Sequence, residues 1–579
     1  MNVSQLDLDT LPRHQERRFV PLPANLTNRE EVVSLYQELL DQEIHSAADL
    51  EKWLLDRSEL EAALDQQGSI LYIKMTCQTD NPVYTQEYKN FIETIVPAVK
   101  PLEDRLNRKY LDVQKKFPLG KDSAKRYEVY DRVLRSDVEI FREANVPLST
   151  QIQLLSQEYQ TICGAMTVQF QGQERTLPQM SKFFEDPDRS IREEAWQRVA
   201  QRRLQDKEQL NTLFDQMLKL RNQTALNAGY KNFAEYQFKA SHRFDYTAKE
   251  CRDYHQAVEE CVVPVLEKIY TRRRQQMKLS ALRPWDTAVD PLGLPPLKPF
   301  EKVDDLISGA NDIFVRIDSQ LGGQFGEMRE MGLLDLDNRK GKAPGGYQSA
   351  LAETRRPFIF MNAVGVDDDV FTLLHEGGHA FHVFACDDQP LYYYRHAPLE
   401  FCEVASMSME LLGGEFLNIF YSPEDVRRSR FAHLEGIIQL LAWIATIDAF
   451  QFWIYEHPAH SSVDRENAWV EINQRFSGRL IDWSGLESLR ANLWHRQLHI
   501  FEAPFYYIEY GIAQLGALQL WLKAKTDRPG TIADYRRALS LGGSRPLPEL
   551  FAAAGLKFDF SRNTIQPLVE AVKQDIGLK

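Results

Sequence analysis

Apolar residues recur three and four positions apart along most of the chain. This spacing predicts helices over 30–66, 85–115, 122–160, 189–227, 245–278 and 301–321. Helix formers dominate these segments, and most Pro and Gly fall between them. Two stretches break the pattern. Segment 281–300 holds Pro284, Pro291, Pro295, Pro296 and Pro299, which forbids regular helix and predicts an ordered loop. In 332–366, Gly341, Gly345 and Gly346 precede the β-like run Pro357-Phe358-Ile359-Phe360-Met361, which predicts a hairpin or short sheet. An exposed strand edge there could pair with the backbone of an extended peptide. The pattern therefore predicts a mainly α fold with a small β element.

Composition narrows the functional classes. With 579 residues the chain can bury a large core as several domains or as one large enzyme architecture. A net charge of −14 argues against nucleic acid or an anionic membrane as partner. The cysteines (Cys77, Cys163, Cys251, Cys261, Cys386 and Cys402) follow neither a metal-binding nor a disulfide spacing, which predicts free thiols in a reducing compartment. Met1 to Arg18 is polar with no apolar signal-type core, and no stretch is expected to reach the length of a membrane span. A cytoplasmic protein is expected. Oligomeric state is not readable from these features.

The chemistry-bearing motif is His375-Glu376-Gly377-Gly378-His379, within a predicted helix from Asp367 to Cys386. Asp368 or Asp369 can cap its start, and Val370, Leu374, Phe381 and Phe384 form its apolar face. His375 and His379 stand one turn apart, about 6 Å along the axis, and can share one zinc ion. Glu376 is rotated by about 100° from His375, poorly placed as a ligand but able to reach a water on the metal. Zinc lowers the pKa of such a water toward about 7, and the carboxylate can accept its proton. Each glycine costs roughly 1 kcal/mol relative to Ala inside a helix. Close approach of another chain segment or a ligand would explain them.

A catalytic zinc needs a third protein ligand and one open position. Glu400, Glu403, Glu410 and Glu415 follow in a helical stretch, Leu399 to Phe416, and spacing alone does not choose among them. His382 lies about 10 Å along the axis from His375, too far to share the ion easily, so a supporting or structural role is expected. His396 could line a cleft. His457, His460 and His495 are expected to be structural or exposed.

Three ordered blocks resemble the M3 metallopeptidases, which include thimet-type oligopeptidases and bacterial oligoendopeptidases, with the closest likeness to the Pz-peptidase branch. The first joins Gly341-Lys342-Ala343-Pro344-Gly345-Gly346-Tyr347 and Pro357 to Asn362 with Phe371 to Phe381. The second is Glu400 to Glu410, and the third runs from His499 to Tyr510. Leu282-Arg283-Pro284-Trp285-Asp286 is similar as well. The likeness covers roughly the last half of the chain. Ala405 and the Gly-Gly motif interior depart from other branches without touching a proposed ligand.

The resemblance implies a two-lobed, clam-like helical metallopeptidase with a deep central channel that admits unfolded oligopeptides. Residues 1–200 would form part of the channel wall and residues 201–579 the catalytic region, with the motif helix at 369–386. It implies one Zn²⁺ per chain on His375, His379 and Glu403, with Glu410 orienting a histidine and Glu376 as general base. His499, Tyr507 and Tyr510 would bind substrate and the oxyanion, with Tyr506 as rival to Tyr507. Gly345, Gly346 and Tyr347 would bind substrate as well. The expected reaction is endopeptidase cleavage of short peptides. A carboxypeptidase trimming C-terminal residues, or a peptide-binding or scaffold protein whose zinc is structural or absent, would share the motif.

Overall fold

The computed structural model describes residues 8–343 and 345–578. Met1–Asp7, and Pro344 within the first family block, lie outside the described residues. The fold is mainly α-helical with two small sheets. Segment 30–66 becomes two helices, Arg29–Asp41 and Ala47–Cys77, whose starts are set by local chemistry. Asn28 accepts the Glu31 N–H and Ser46 accepts the Asp49 N–H, each satisfying a donor that the helix cannot. Segment 122–160 divides into Lys121–Arg126, Glu128–Ile140 and Val146–Gly164. The proline-rich 281–300 stretch holds one short 3-10 turn, Pro284–Asp286, and otherwise no regular element.

One sheet was not anticipated. Strands β1 (Thr167–Phe170) and β2 (Gln173–Thr176) pair antiparallel across Gln171-Gly172. Both turn residues have positive φ, 50° and 74°, as a two-residue hairpin turn requires. The other sheet is the expected β element: β3 (Leu334–Asp337), β4 (Tyr347–Leu351) and β5 (Arg356–Ala363) in the order β3-β5-β4. The apolar run Pro357–Met361 is therefore the central strand, which explains its near-complete burial. The open edge next to the glycines belongs to β4, paired antiparallel to β5 with Gln348 opposite Ile359.

The chain packs into two compact units, each assembled from three segments. The first takes residues up to Phe141, Lys298–Val426 and Gly516–Phe558; the second takes Arg142–Leu297, Arg427–Leu515 and Asp559 onward. Residue 200, where the sequence placed a regional boundary, lies inside helix Arg189–Gln205 of the second unit. In the first unit Tyr36, Trp53, Leu106, Tyr110 and Tyr130 anchor an apolar cluster that also takes in Tyr394. In the second, Phe214, Phe450, Trp469, Trp494 and Phe501 pack ring to ring.

One expectation is corrected. Helix Pro423–Glu456 has 34 residues and an 18-residue window of mean hydropathy 1.6, long and apolar enough to cross a membrane. Of that window, 72% is buried inside the protein, so its all-round apolarity serves core packing.

Candidate metal centre and peptidase site

The motif helix runs Asp367–Ala385. Asp369 secures its start: one carboxylate oxygen accepts the backbone N–H groups of Val364, Gly365 and Val366 at 2.8, 2.8 and 3.0 Å. Val370, Leu374, Phe381 and Phe384 are buried. Helix Leu399–Gly413 packs along it, and the two motif glycines explain how closely. A β-carbon on Gly378 would lie 2.5 Å from the Ala405 carbonyl oxygen and from Ser406 Cα; one on Gly377 would lie 2.5 Å from the Phe314 ring. The helix penalty of these residues is offset by a backbone approach that no side chain would allow.

That approach brings Glu403 to the histidines. Its Oε2 lies 3.4 Å from His375 Nε2 and 3.7 Å from His379 Nε2. One ligand atom from each of the three residues falls within 4.8 Å of the others. Tetrahedral zinc, with bonds of about 2.0–2.2 Å, places its ligand atoms roughly 3.4 Å apart, so this donor set fits the ion and leaves its fourth position open. Glu410 Oε1 lies 2.7 Å from His375 Nδ1, an arrangement that puts the proton on Nδ1 and leaves the Nε2 lone pair for a metal. Ser406 Oγ donates to Glu403 Oε2 at 2.9 Å. Nothing in the sequence singled out Ser406 except its place one turn after Glu403.

The electrostatics separate the groups. Burial lowers the His375 pKa, but hydrogen bonds to Glu403 and Glu410 outweigh it and hold the group well above the usual imidazole range. His379, with burial dominant, falls to about 4. Glu403 is opposed by burial yet held below the usual carboxylate range, chiefly by the His379 and His375 rings. Burial raises Glu376 to about 7, and a backbone hydrogen bond from Gln348 partly opposes this. Glu376 thus stands beside β4.

At the start of β4, Gly345 and Gly346 are exposed, and Gly345 has φ +97°. Asn362 Nδ2 fixes their turn by donating to the Ala343 and Gly345 carbonyls at 2.8 and 2.9 Å. Tyr347 stacks on Phe360, centroids 4.8 Å apart, and its hydroxyl lies 2.6 Å from Thr76 Oγ1. Its phenol is therefore committed within the protein.

His499, Tyr506, Tyr507 and Tyr510 form one ring cluster in the second unit. The His499 ring centroid lies 5.6, 4.9 and 5.9 Å from the three tyrosines in that order. Buried arginines hold this block. Arg221 donates to the carbonyls of Ile500 and Phe501, and Arg243 donates to the Phe505 carbonyl and to Glu509. Phe505 has φ +66°, and its N–H donates to Gln451 Oε1 at 2.6 Å. Sequence reasoning missed these supports, because a buried arginine and a surface arginine look alike in a sequence.

The other histidines singled out by the sequence are not part of the three-residue metal group. His382 is buried edge-on to Phe401, and burial lowers its pKa to about 3. His396 packs against Tyr392, His457 and His460 against Trp453, and His495 is buried.

The chain matches the M3 peptidase N-terminal domain over residues 19–125 and peptidase family M3 over 182–569. It is 24% identical to an oligoendopeptidase F homolog of Borreliella burgdorferi over 72% of each chain. It is 24% identical to the oligopeptidase PepF of Bacillus subtilis over 54% of this chain and 48% of that one. The solved structure of Pz peptidase A with an inhibitor superposes with a TM-score of 0.88 at 28% identity, covering 96% of this chain and 99% of the other. With a family match over more than half of its length, the chain belongs to peptidase family M3 and is a metallo-oligopeptidase.

Proposed function

We propose that the protein is a zinc-dependent endopeptidase that cuts internal bonds of short, unfolded oligopeptides. One Zn²⁺ per chain would be held by His375, His379 and Glu403. The observation that carries this reading is the convergence of those three ligand atoms with Glu410 set on the far side of His375. Zinc, when bound there, supplies Lewis acidity toward the scissile carbonyl and toward water. Glu376 accepts the proton of the attacking water and returns it to the leaving amine. Burial of this carboxyl favours its proton-bound form and so its service as proton carrier. His499, Tyr507 and Tyr510 steady the substrate and the developing oxyanion, with Tyr506 beside them. The open edge of β4, entered through Gly345 and Gly346, pairs with the peptide backbone, and Tyr347 braces that edge. All these groups lie within residues 201–579, the proposed catalytic region. Six free thiols and an acidic net charge support a cytoplasmic protein whose partners are peptides, without nucleic acid or membrane.

Cleavage-site mapping on a defined peptide library tests this, using parent protein, chelated protein and Glu376→Gln. Internal cuts that vanish on chelation, return with zinc and are absent in a zinc-loaded Glu376→Gln protein are expected. Stepwise loss of C-terminal residues would instead make it a carboxypeptidase, and parent-rate turnover by Glu376→Gln would remove the general-base role.

A further inference from the structure

The second unit contains a cation for which the proposed chemistry has no use. Arg496 is solvent-exposed, with its guanidinium 4.8 Å over the Trp443 ring. Its pKa is lowered first by burial and next by the charge of Arg203, and no carboxylate acts on it. The side chain lines a concavity. Neither Arg496 nor Arg203 has an ion pair or a side-chain hydrogen bond with any described residue. A guanidinium with no carboxylate acting on it favours an incoming anion.

The concavity combines indole and aliphatic walls with polar groups that include Gln439 and Asn473. A cavity of about 350 Å³ is lined by Trp196, Leu440, Trp443, Phe476, Trp483 and Arg496, and this volume lies within the range of ligand pockets. It adjoins the ring cluster through one side chain. Trp443 Nε1 donates to Gln497 Oε1 at 2.9 Å, and Gln497 Nε2 lies 2.8 Å from His499 Nδ1.

An internal acidic residue of a peptide carries a carboxylate but no apolar body, and an internal apolar residue carries no charge. A C-terminal apolar or aromatic residue offers both on adjacent atoms. We propose that the tryptophan-lined cavity and Arg496 bind the C-terminal residue of a peptide substrate, with its side chain among the indoles and its α-carboxylate on the guanidinium. The site would anchor short peptides by their free end. This rests on the protein acting on oligopeptides.

The test uses four peptides of one sequence: ending in Leu as free acid, ending in Leu as carboxamide, ending in Gly as free acid, and the Leu carboxamide with one internal Gln replaced by Glu. Dissociation constants are measured by calorimetry on zinc-loaded Glu376→Gln protein and on the same protein carrying Arg496→Gln or Arg496→Lys. Binding is read directly, so failure of the catalytic assignment appears separately, as cleavage by Glu376→Gln. The Leu acid should bind on the order of 10- to 100-fold more tightly than its carboxamide, and more tightly than the Gly acid. Arg496→Gln should bring the acid and carboxamide within about twofold of each other, with Arg496→Lys intermediate. Equal binding of acid and carboxamide by the Arg496 protein overturns the proposal. So does discrimination that survives Arg496→Gln in a protein with an unchanged melting temperature. Affinity restored to the carboxamide by internal Glu assigns Arg496 to acidic side chains instead and also overturns it.

Discussion

Gly378 presents its bare α-carbon to Ser406: an added β-carbon would lie 2.5 Å from Ser406 Cα and from the Ala405 carbonyl oxygen. The separation of the two helices, and with it the reach of Glu403 toward His375 and His379, depends on this residue. Gly378→Ala should destabilise the fold by about 1–3 kcal/mol through overpacking and reduce zinc content. Gly377→Ala meets the Phe314 side chain and not backbone, and should cost less. Urea midpoints and metal analysis of the two variants check this; equal midpoints and full zinc in both would remove the close-approach account.

Glu410 fixes the tautomer of His375. Glu410→Gln should weaken zinc affinity by about 10- to 100-fold while leaving the fold intact. Competition against a calibrated chelator reads the change. Glu376→Gln, which removes no ligand, should match the parent in the same assay.

Arg243 and Glu509 form a buried ion pair, 1% and 5% exposed, that also secures the left-handed Phe505 before Tyr506 and Tyr507. Glu509→Gln leaves the arginine charge buried without its carboxylate and should cost about 3 kcal/mol. A fall in kcat larger than the change in KM should accompany it, because the aromatic block loses its fixed entry. Unchanged stability and unchanged kcat would show that the pair supports neither.

His495 is 2% exposed, and burial is the largest cause of a pKa of about 3. Below the ordinary imidazole pKa of about 6.5, the unfolded chain takes up a proton that the folded chain refuses. Stability is therefore fully present above pH 6.5 and falls as pH drops toward 3, by up to about 1.4 kcal/mol per unit from this residue. Between pH 6.5 and 5 the parent should lose about 2 kcal/mol more than His495→Gln, whose amide can still donate to Asn211 as the imidazole does at 3.1 Å. Urea unfolding of both proteins at the two pH values measures the difference. Parallel losses would mean that His495 charges freely in the folded state.

The sequence by itself determined the helical character, the β element before the motif, and the pairing of His375 with His379. These depend on periodicities of two and 3.6 residues that any short segment carries. It also placed Glu376 off the face shared by the histidines. Only the tertiary structure decided that Pro357–Met361 is the central strand and that the open edge belongs to β4. It alone brought Glu403 rather than Glu400 or Glu415 against the histidines, because a carboxylate's partner is set by the packing of a second helix. The buried arginines behind the His499–Tyr510 block, and the unpaired Arg496 beside it, were equally invisible. A cation's surroundings are assembled from segments hundreds of residues apart, and no local spacing encodes them.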